Sequence, residues 1–275
     1  MNGNKKTGFA CEDWHVHSNF STCAVPEATI EAIIQTARER RMRKVAVVDH
    51  VYHAQSIEGD GWKYRDPGEI LSHLRAQKEK RDRLLRDDQL EVKIGVEIDM
   101  RRDGIDYVAD KVLEESEVVT ASLHHVPGTA IRWHHHYGPE EYRILEQAVK
   151  KFGRMELIGR VMELYCKAAE DERIDIIGHP FKELGISTLV NKTSPIPEQD
   201  LNVFFRRLIK SKICFEVNSC ILGIGTEESR GFVMNYGNYV KMAQAAGCLL
   251  VTATDSHSPK TIGQMGAAFD WIRGK

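Results

Sequence analysis

Histidine and carboxylate side chains stand at short, regular spacings in this sequence. His15 and His17 are separated by one residue in CEDWHVH, and Asp255 and His257 are separated by one residue in CLLVTATDSH. Residues i and i+2 of a strand point to the same side, so the two histidines can bind one ion together. Asp255 and His257 can do the same if the chain bends between them. Such ligands suit zinc, manganese or iron, whereas magnesium favours oxygen ligands alone.

Polar side chains of the same kind follow the other apolar segments of the chain. They are Asp49 and His50, Glu97 and Asp99, His124 and His125, His179, and Glu216 and Asn218. Any one of these motifs alone would also fit an ordinary polar strand end. An apolar core does not select charged or imidazole side chains at the end of every buried segment. The joint pattern therefore predicts one shared polar site.

Seven short, β-branched and largely apolar segments must position these side chains. They cover residues 11–17, 44–50, 92–100, 118–125, 174–180, 213–219 and 248–257. Helical patterns lie between them, and this alternation predicts an α/β fold with parallel strands, either as a barrel or as a doubly wound sheet. The carboxyl ends of parallel barrel strands open on one face, where the polar side chains would meet. No glycine-rich phosphate loop follows the first segment, which argues against a dinucleotide-binding fold.

Two of the helical patterns are well marked. Residues 27–41 carry one apolar stripe, with Pro26 near the start as a helix opener. Residues 139–173 are long enough for two helices, which we expect to be broken near Gly153 or Gly159.

Composition and charge exclude several classes of protein. The formal net charge is -2, so no global basic field attracts nucleic acid or an anionic membrane. No apolar run approaches the roughly 20 residues of a membrane helix, and no apolar core follows the N-terminal lysines as in a secretory signal. The 6 cysteines are scattered, with no CxxC motif. We expect a cytoplasmic, reduced protein whose residues 1–275 form a single domain.

The order of the motifs is more specific than any one of them. HxH, DH, GVE, SxH, GHP and DSH follow one another from His15 to His257. This order resembles the polymerase and histidinol phosphatase (PHP) superfamily of metal-dependent phosphoesterases. The resemblance covers nearly the whole chain. It implies a distorted (β/α)7 barrel that holds two or three divalent metal ions.

The resemblance also implies which residues bind the ions. One metal would be held by His15, His17, Glu97 and Asp255; a second by Glu97, His124 and His179; and a third by His50, His257 and one further ligand. That further ligand would come from the region just after HxH, where this sequence has Thr22 and Cys23. Cys23 is therefore either an unusual thiolate ligand or a neighbouring residue with no role in binding.

The implied reaction is the hydrolysis of a phosphate monoester of a small metabolite, with histidinol phosphate as the leading candidate. Two adjacent metals would supply a bridging hydroxide for in-line attack on phosphorus, with Glu97, Asp255 and His179 as the catalytic set. Asp49 could either orient a metal-bound histidine, by a hydrogen bond to the side of the ring away from the metal, or cap a turn. Four arginines on plausible mouth loops could bind the phosphate: Arg101, Arg102, Arg132 and Arg230.

Other functions remain open at this point. The same metals would serve a phosphodiesterase or nuclease, which should carry a basic groove; the basic clusters at residues 38–44 and 75–86 lie instead on predicted helices. A noncatalytic metal-binding module would be expected to lack ligands that are present here. Amide or lactone hydrolysis also uses hydroxide-generating metal pairs. The sequence predicts neither the oligomeric state nor the identity of the metal.

Overall fold

Seven parallel strands surround a common interior in the computed structural model, which describes residues 11–51, 65–86, 89–101, 104–105, 108–129, 138–191, 193–223 and 227–265. The strands are β1 (Glu12–Val16), β2 (Lys44–Val51), β3 (Glu91–Arg101), β5 (Val119–Ser122), β6 (Ile176–Ile177), β7 (Cys214–Asn218) and β8 (Leu250–Ala253). They pair in the order β1-β2-β3-β5-β6-β7-β8, and every pair in this path is parallel. A short strand, β4 (Gly104–Ile105), pairs antiparallel with β3 outside this path.

The two ends of the strand path meet and nearly close the sheet. Val16 and Ser256 form a parallel bridge, and the His17 N–H donates to the Ser256 carbonyl at 2.8 Å. Asp13 strengthens this junction, because its buried carboxylate accepts from the Thr254 hydroxyl and from the Gly263 N–H. The predicted distorted (β/α)7 barrel is confirmed.

Helices lie outside the barrel and connect its strands. They are α1 (Ile30–Glu39), α2 (Pro67–Leu84), α3 (Asp110–Glu115), α4 (Pro139–Phe152), α5 (Arg154–Ala168), α6 (Lys182–Ile186), α7 (Glu198–Ser211) and α8 (Glu227–Ala246). The predicted break within residues 139–173 falls at Gly153, whose φ of 86° glycine adopts without strain. Pro26 does not open α1, because Thr29 is the N-cap and its side chain accepts from the Ala32 N–H.

Several predicted strands end earlier than the apolar segments suggest. β6 contains only two residues, and β5 and β8 stop before His124 and before Asp255. The backbone explains two of these ends. His179 has a φ of 25° and Asp255 a φ of 54°, and a strand cannot continue through such positive values.

A cluster of aromatic side chains fills the space between β7 and helices α5, α7 and α8. This aromatic cluster consists of Tyr165, Phe181, Phe204, Phe205, Phe215, Tyr236 and Tyr239, each at most 3% exposed. Most neighbouring rings meet edge-on or tilted, such as Phe181 and Tyr165 with centroids 5.2 Å apart. Within the described residues, no helix is long and apolar enough to cross a membrane.

Candidate metal centre

Eight of the predicted ligands converge at the carboxyl ends of the barrel strands. We call this set the candidate centre: His15, His17, His50, Glu97, His124, His179, Asp255 and His257. Three of them lie within β1, β2 and β3, and five lie one to four residues beyond the end of β1, β5, β6 or β8. Parallel strands bring these positions to one rim although up to 242 residues separate them along the chain (His15 to His257).

Glu97 lies at the middle of the candidate centre and is completely buried. Its Oε1 is 3.3 Å from His15 Nε2, 3.5 Å from His124 Nε2 and 3.3 Å from His179 Nε2. Its Oε2 is 2.6 Å from His50 Nδ1 and 3.6 Å from His17 Nε2. One carboxylate therefore faces five imidazoles, with its two oxygens directed at different groups of them.

Asp255 adds a second carboxylate on the β1 side. Its Oδ1 is 3.1 Å from His17 Nε2 and 3.7 Å from His15 Nε2. In three groups, all donor atoms lie within 4.8 Å of one another: His15, His17 and Asp255; His50, Glu97 and His124; and His17, His50 and His257. The groups share His17 and His50, so the described donors form one continuous centre.

These separations fit divalent metal ions. Two donor atoms that each lie about 2.1 Å from one ion are roughly 3.0–3.5 Å apart. Several donors also have no hydrogen bond within the described part of the chain, although they are buried: His15 Nε2, both oxygens of Glu97 and both ring nitrogens of His179. Leaving such groups buried and unsatisfied is costly, and ions bound between them would remove that cost.

A carboxylate behind the centre fixes the orientation of His15. His15 Nδ1 donates to Glu216 Oε2 at 2.9 Å, so the neutral form of His15 has its proton on Nδ1 and its lone pair on Nε2, which faces Glu97. The other oxygen of Glu216 accepts from the His179 N–H at 2.8 Å and from the Asn218 side-chain amide. Glu216 is thus surrounded by donors, and it holds two parts of the centre in register.

The predicted role of Asp49 in orienting a histidine corresponds to a contact through Ser21. The Ser21 hydroxyl donates its only proton to Asp49 Oδ1 at 2.7 Å. Toward His17 Nδ1, which is 3.3 Å away, Ser21 Oγ is therefore the acceptor. His17 therefore carries its proton on Nδ1 and directs the Nε2 lone pair at the centre. Asp49 also accepts from Ser18 and from His73 on α2, which fixes its position.

Two more histidines are oriented by the same principle. His124 Nδ1 lies 3.3 Å from Asp99 Oδ1, and His257 Nδ1 lies 2.8 Å from the carbonyl oxygen of Asp255. Both acceptors take the Nδ1 proton, which leaves the lone pair on Nε2.

Burial keeps part of the histidine set uncharged. It lowers the pKa of His179 to about 4 and that of His257 to about 3. Neutral imidazole is the form that binds a metal. His15 differs, because Glu216 and Glu97 outweigh its burial and raise its pKa.

The carboxylates of the centre are held in the ionised form. Burial alone would raise the pKa of Glu97, but the surrounding histidines, with His50 and His15 first, outweigh it and hold that pKa well below its usual range. Lys182 and His17 do the same for the pKa of Asp255. Negative oxygens beside neutral imidazoles form a donor set suited to divalent cations of the zinc, manganese and iron kind.

Unusual backbone geometry places His179 and its neighbours. His179 and Phe181 both have positive φ, and the Phe181 N–H donates to the Tyr165 hydroxyl at 2.8 Å. Gly178 permits a close approach just before them, since a Cβ there would lie 2.1 Å from Ser122 Oγ. Strained residues persist where the surrounding structure holds them, and they are typical of functional sites.

Cys23 is half-buried beside the candidate centre, and its sulfur belongs to none of the three donor groups found among the described residues. Burial, and then the charges of Asp255 and Glu97, raise the pKa of its thiol to about 12. Its role as a ligand stays a prediction. Of the four predicted phosphate-binding arginines, Arg101 and Arg230 have side chains outside the described part of the structure, and all of Arg102 and Arg132 lies outside it.

Sequence reasoning missed three functional positions. Glu216 was noticed as a polar strand end but received no role, although it ends a segment as the ligands do. Lys182 is a buried lysine three residues after His179, and its Nζ donates to Asp255 Oδ2 at 2.9 Å. Ser21 is an ordinary serine in sequence, and only the fold places it between Asp49 and His17.

The fold is similar to that of known histidinol phosphatases. A histidinol phosphate phosphatase from Lactococcus lactis subsp. lactis, whose crystal structure holds zinc, L-histidinol and phosphate, has a TM-score of 0.66 and 16% identity, over 96% of this chain and 92% of that chain. A protein assigned as a histidinol phosphatase from Listeria monocytogenes has a TM-score of 0.65 and 17% identity, over 92% of this chain and 97% of that one. At these identities the likeness establishes the fold.

Sequence comparison adds the family. No curated protein matches the chain. The model of the PHP domain matches residues 13–219, a range that begins before His15 and includes Glu97, His124, His179 and Glu216. The matched range is well over half of the chain, and the chain therefore belongs to the PHP domain family.

Proposed function

We propose that this protein hydrolyses a phosphate monoester of a small metabolite, with histidinol phosphate as the leading candidate. The observation that carries the proposal is the candidate centre, in which five imidazoles from several strands surround the Glu97 carboxylate at distances of 2.6–3.6 Å. Membership of the PHP domain family makes the chain a metal-dependent hydrolase of the phosphoesterase kind. The substrate class is the finer part of the proposal.

We assign the metal ligands as follows. Glu97 would be shared by two ions, the first also held by His15, His17 and Asp255 and the second by His124 and His179; a third would be held by His50 and His257, with Cys23 as the candidate for its remaining ligand. His50 Nδ1 lies 2.6 Å from Glu97 Oε2, so the third position adjoins the bridging carboxylate. When bound, such ions supply a hydroxide nucleophile near neutral pH and stabilise the negative charge of a phosphoryl group.

The chain itself contributes orientation and charge. Glu216, Ser21 and Asp99 hold the Nδ1 atoms of His15, His17 and His124, which keeps each Nε2 directed at the centre without reorganisation. Burial of Glu97 excludes bulk water from the bridging position. The ionised carboxylates of Glu97 and Asp255 contribute the negative charge that divalent ions require.

A small substrate is supported by charge and by the relatives. One similar structure holds histidinol and phosphate together with zinc. The basic residues of the α1–α2 region are largely paired: Lys80 with Glu31, Arg75 and Lys78 with Glu115, and Arg81 with Glu117. These pairs reduce the excess of positive charge on that region, and a nucleic-acid backbone requires such an excess.

The test is phosphate release from a panel of phosphate monoesters that includes histidinol phosphate. Metal-replete protein should release phosphate from at least one member, and His15→Ala should lose this activity together with bound metal. The exposed variant Lys167→Met, which changes a surface ion pair with Glu163, serves as the control and should behave as wild type. The proposal would be overturned if no monoester of the panel were hydrolysed, or if His15→Ala were as active as wild type.

A further inference from the structure

The two oxygens of the Asp255 carboxylate have separate partners. Oδ1 faces the imidazoles, at 3.1 Å from His17 Nε2 and 3.7 Å from His15 Nε2. Oδ2 faces the other way and accepts a hydrogen bond from Lys182 Nζ at 2.9 Å. The side chains of Asp255 and Lys182 are 6% and 7% exposed, so this ion pair lies inside the protein.

The backbone keeps Lys182 in this position. Lys182 is the first residue of α6, and the residue before it, Phe181, has a φ of 69°. The Phe181 ring is buried in the aromatic cluster, with centroids 5.2 Å from Tyr165 and 5.7 Å from Phe204. The Lys182 N–H also donates to the His179 carbonyl at 3.1 Å, which joins the lysine to a candidate ligand through one tight turn. These contacts restrict movement of the ammonium group away from Asp255.

A buried lysine is an unfavourable neighbour for divalent cations. Groups behind a histidine ligand are usually acceptors such as Glu216, which increase the basicity of the ligand. A cation behind a carboxylate has the opposite effect, because it withdraws negative charge from the ligand and repels the ions. Lys182 therefore weakens the attraction of Asp255 for metal, and its position calls for a benefit of another kind.

That benefit concerns the number of oxygens that Asp255 offers to an ion. A carboxylate can bind one ion through one oxygen or through both. A catalytic site must keep a coordination position open for water or substrate. An Asp255 that bound through both oxygens would occupy that position, and the hydrogen bond from Lys182 competes for the second oxygen.

We propose that Lys182 is a positioning residue that restricts Asp255 to one-oxygen metal binding and so keeps a coordination position open. This inference rests on the proposed function, since it assumes that Asp255 is a metal ligand. It predicts an unusual combination: removal of the lysine should leave metal binding intact or stronger while turnover falls.

Three variants separate the charge from the hydrogen bond. Lys182→Met removes both in a side chain of similar length, Lys182→Arg keeps both, and Lys182→Gln removes only the charge. Metal affinity is measured by competition with a chelator, turnover by kcat and KM for the best monoester, and coordination by a crystal structure of the metal-loaded variant. Lys167→Met is the matched control, because it removes an exposed lysine that pairs with Glu163 on the surface of α5.

For Lys182→Met, we expect metal to be held at least as tightly as in wild type, both Asp255 oxygens to bind one ion, and kcat to fall roughly 10- to 100-fold. Lys182→Arg should keep one-oxygen binding and most of the turnover. If Lys182→Met does not fold, Lys182→Gln decides the question, because it should also hold metal at least as tightly as wild type.

Two results would overturn the inference. One is a loss of metal affinity in Lys182→Met or Lys182→Gln, since the lysine would then only support Asp255 as a ligand. The other is one-oxygen binding in the metal-loaded Lys182→Met structure. Both readouts need no substrate, so they remain decisive even if no phosphate monoester is hydrolysed and the proposed function fails.

Discussion

The aromatic cluster and the candidate centre are both buried, but their interactions differ in kind. In the cluster, apolar rings pack on one another, and the Tyr165 and Tyr236 hydroxyls find backbone partners. In the centre, both oxygens of Glu97 lack a hydrogen bond within the described residues, and His179 has a positive φ. The first arrangement lowers the free energy of the fold, and the second raises it.

The contact between the two regions explains how the second is tolerated. Phe181 belongs to the aromatic cluster, and it lies between His179 and Lys182 of the polar region. Its buried ring fixes a backbone that would otherwise relax. Packing on one side therefore supplies the rigidity that holds costly polar groups on the other, and we expect variants in the two regions to have opposite effects on activity and stability.

The largest expected effect is on activity, from Glu97→Gln. The amide has nearly the same shape but no charge, and it cannot bridge two ions as a carboxylate does. We expect kcat/KM to fall by roughly 10³-fold or more, since several kcal/mol of metal-derived stabilisation are lost with the ions. Equal kcat/KM in wild type and Glu97→Gln, measured on the best monoester with excess metal, would contradict the central position given to Glu97.

Phe204→Ala in the aromatic cluster should have the opposite outcome, a loss of stability rather than a loss of metal. Phe204 is fully buried on α7 and contacts the rings of Tyr165, Phe181 and Phe215. Its truncation should lower the free energy of unfolding by about 3–5 kcal/mol through lost contacts and a cavity. Protein that remains folded should keep its full metal content. Met155→Ala, at a position 54% exposed, is the control and should change stability by no more than about 0.5 kcal/mol.

A smaller effect should follow Glu216→Gln, which keeps the shape of the side chain. Glu216 accepts from His15 Nδ1, from the His179 N–H and from the Asn218 amide, so an NH₂ group in its place would face a donor. We expect metal affinity to fall roughly 10- to 100-fold. Chelator competition measures the effect, with surface Glu163→Gln as the control. Unchanged affinity would mean that His15 needs no carboxylate behind it.

The smallest effect concerns pH. The pKa values of about 4 for His179 and about 3 for His257 lie below the unfolded value near 6.5, so the unfolded chain binds more protons across this window. Their contribution to metal-free stability is fully present above about pH 6.5 and is lost as the pH falls through 4. At pH 5 each imidazole should lower the free energy of unfolding of the metal-free protein by roughly 1–2 kcal/mol relative to pH 7. His179→Gln should show a weaker pH dependence in urea denaturation; an identical dependence would contradict the assignment.

Much of the barrel could be predicted from sequence, because buried parallel strands leave a simple signal. Segments such as KVAVVDH are apolar on both faces, and the structure has β2 there at Lys44–Val51. The ends of the strands were harder to predict. His179 and Asp255 follow strands that stop early, since their positive φ values are set by tertiary contacts rather than by local preference.

The side chains directed at the candidate centre could also be predicted from sequence, but the residues that hold them in position could not. A histidine at a strand end has a recognisable position, whereas Ser21 depends on a loop bringing its hydroxyl between Asp49 and His17. Lys182 looks in sequence like the exposed start of a helix. It becomes buried because α6 turns back toward the centre after Phe181.

Metal analysis of protein purified without added metal tests the central claim most directly. The claim is that the donors around Glu97 form one multinuclear centre, so wild type should contain two or three equivalents of zinc, manganese or iron per chain, and Glu97→Gln at most one. Less than one equivalent in wild type after incubation with these metals, or the same content in Glu97→Gln as in wild type, would contradict it.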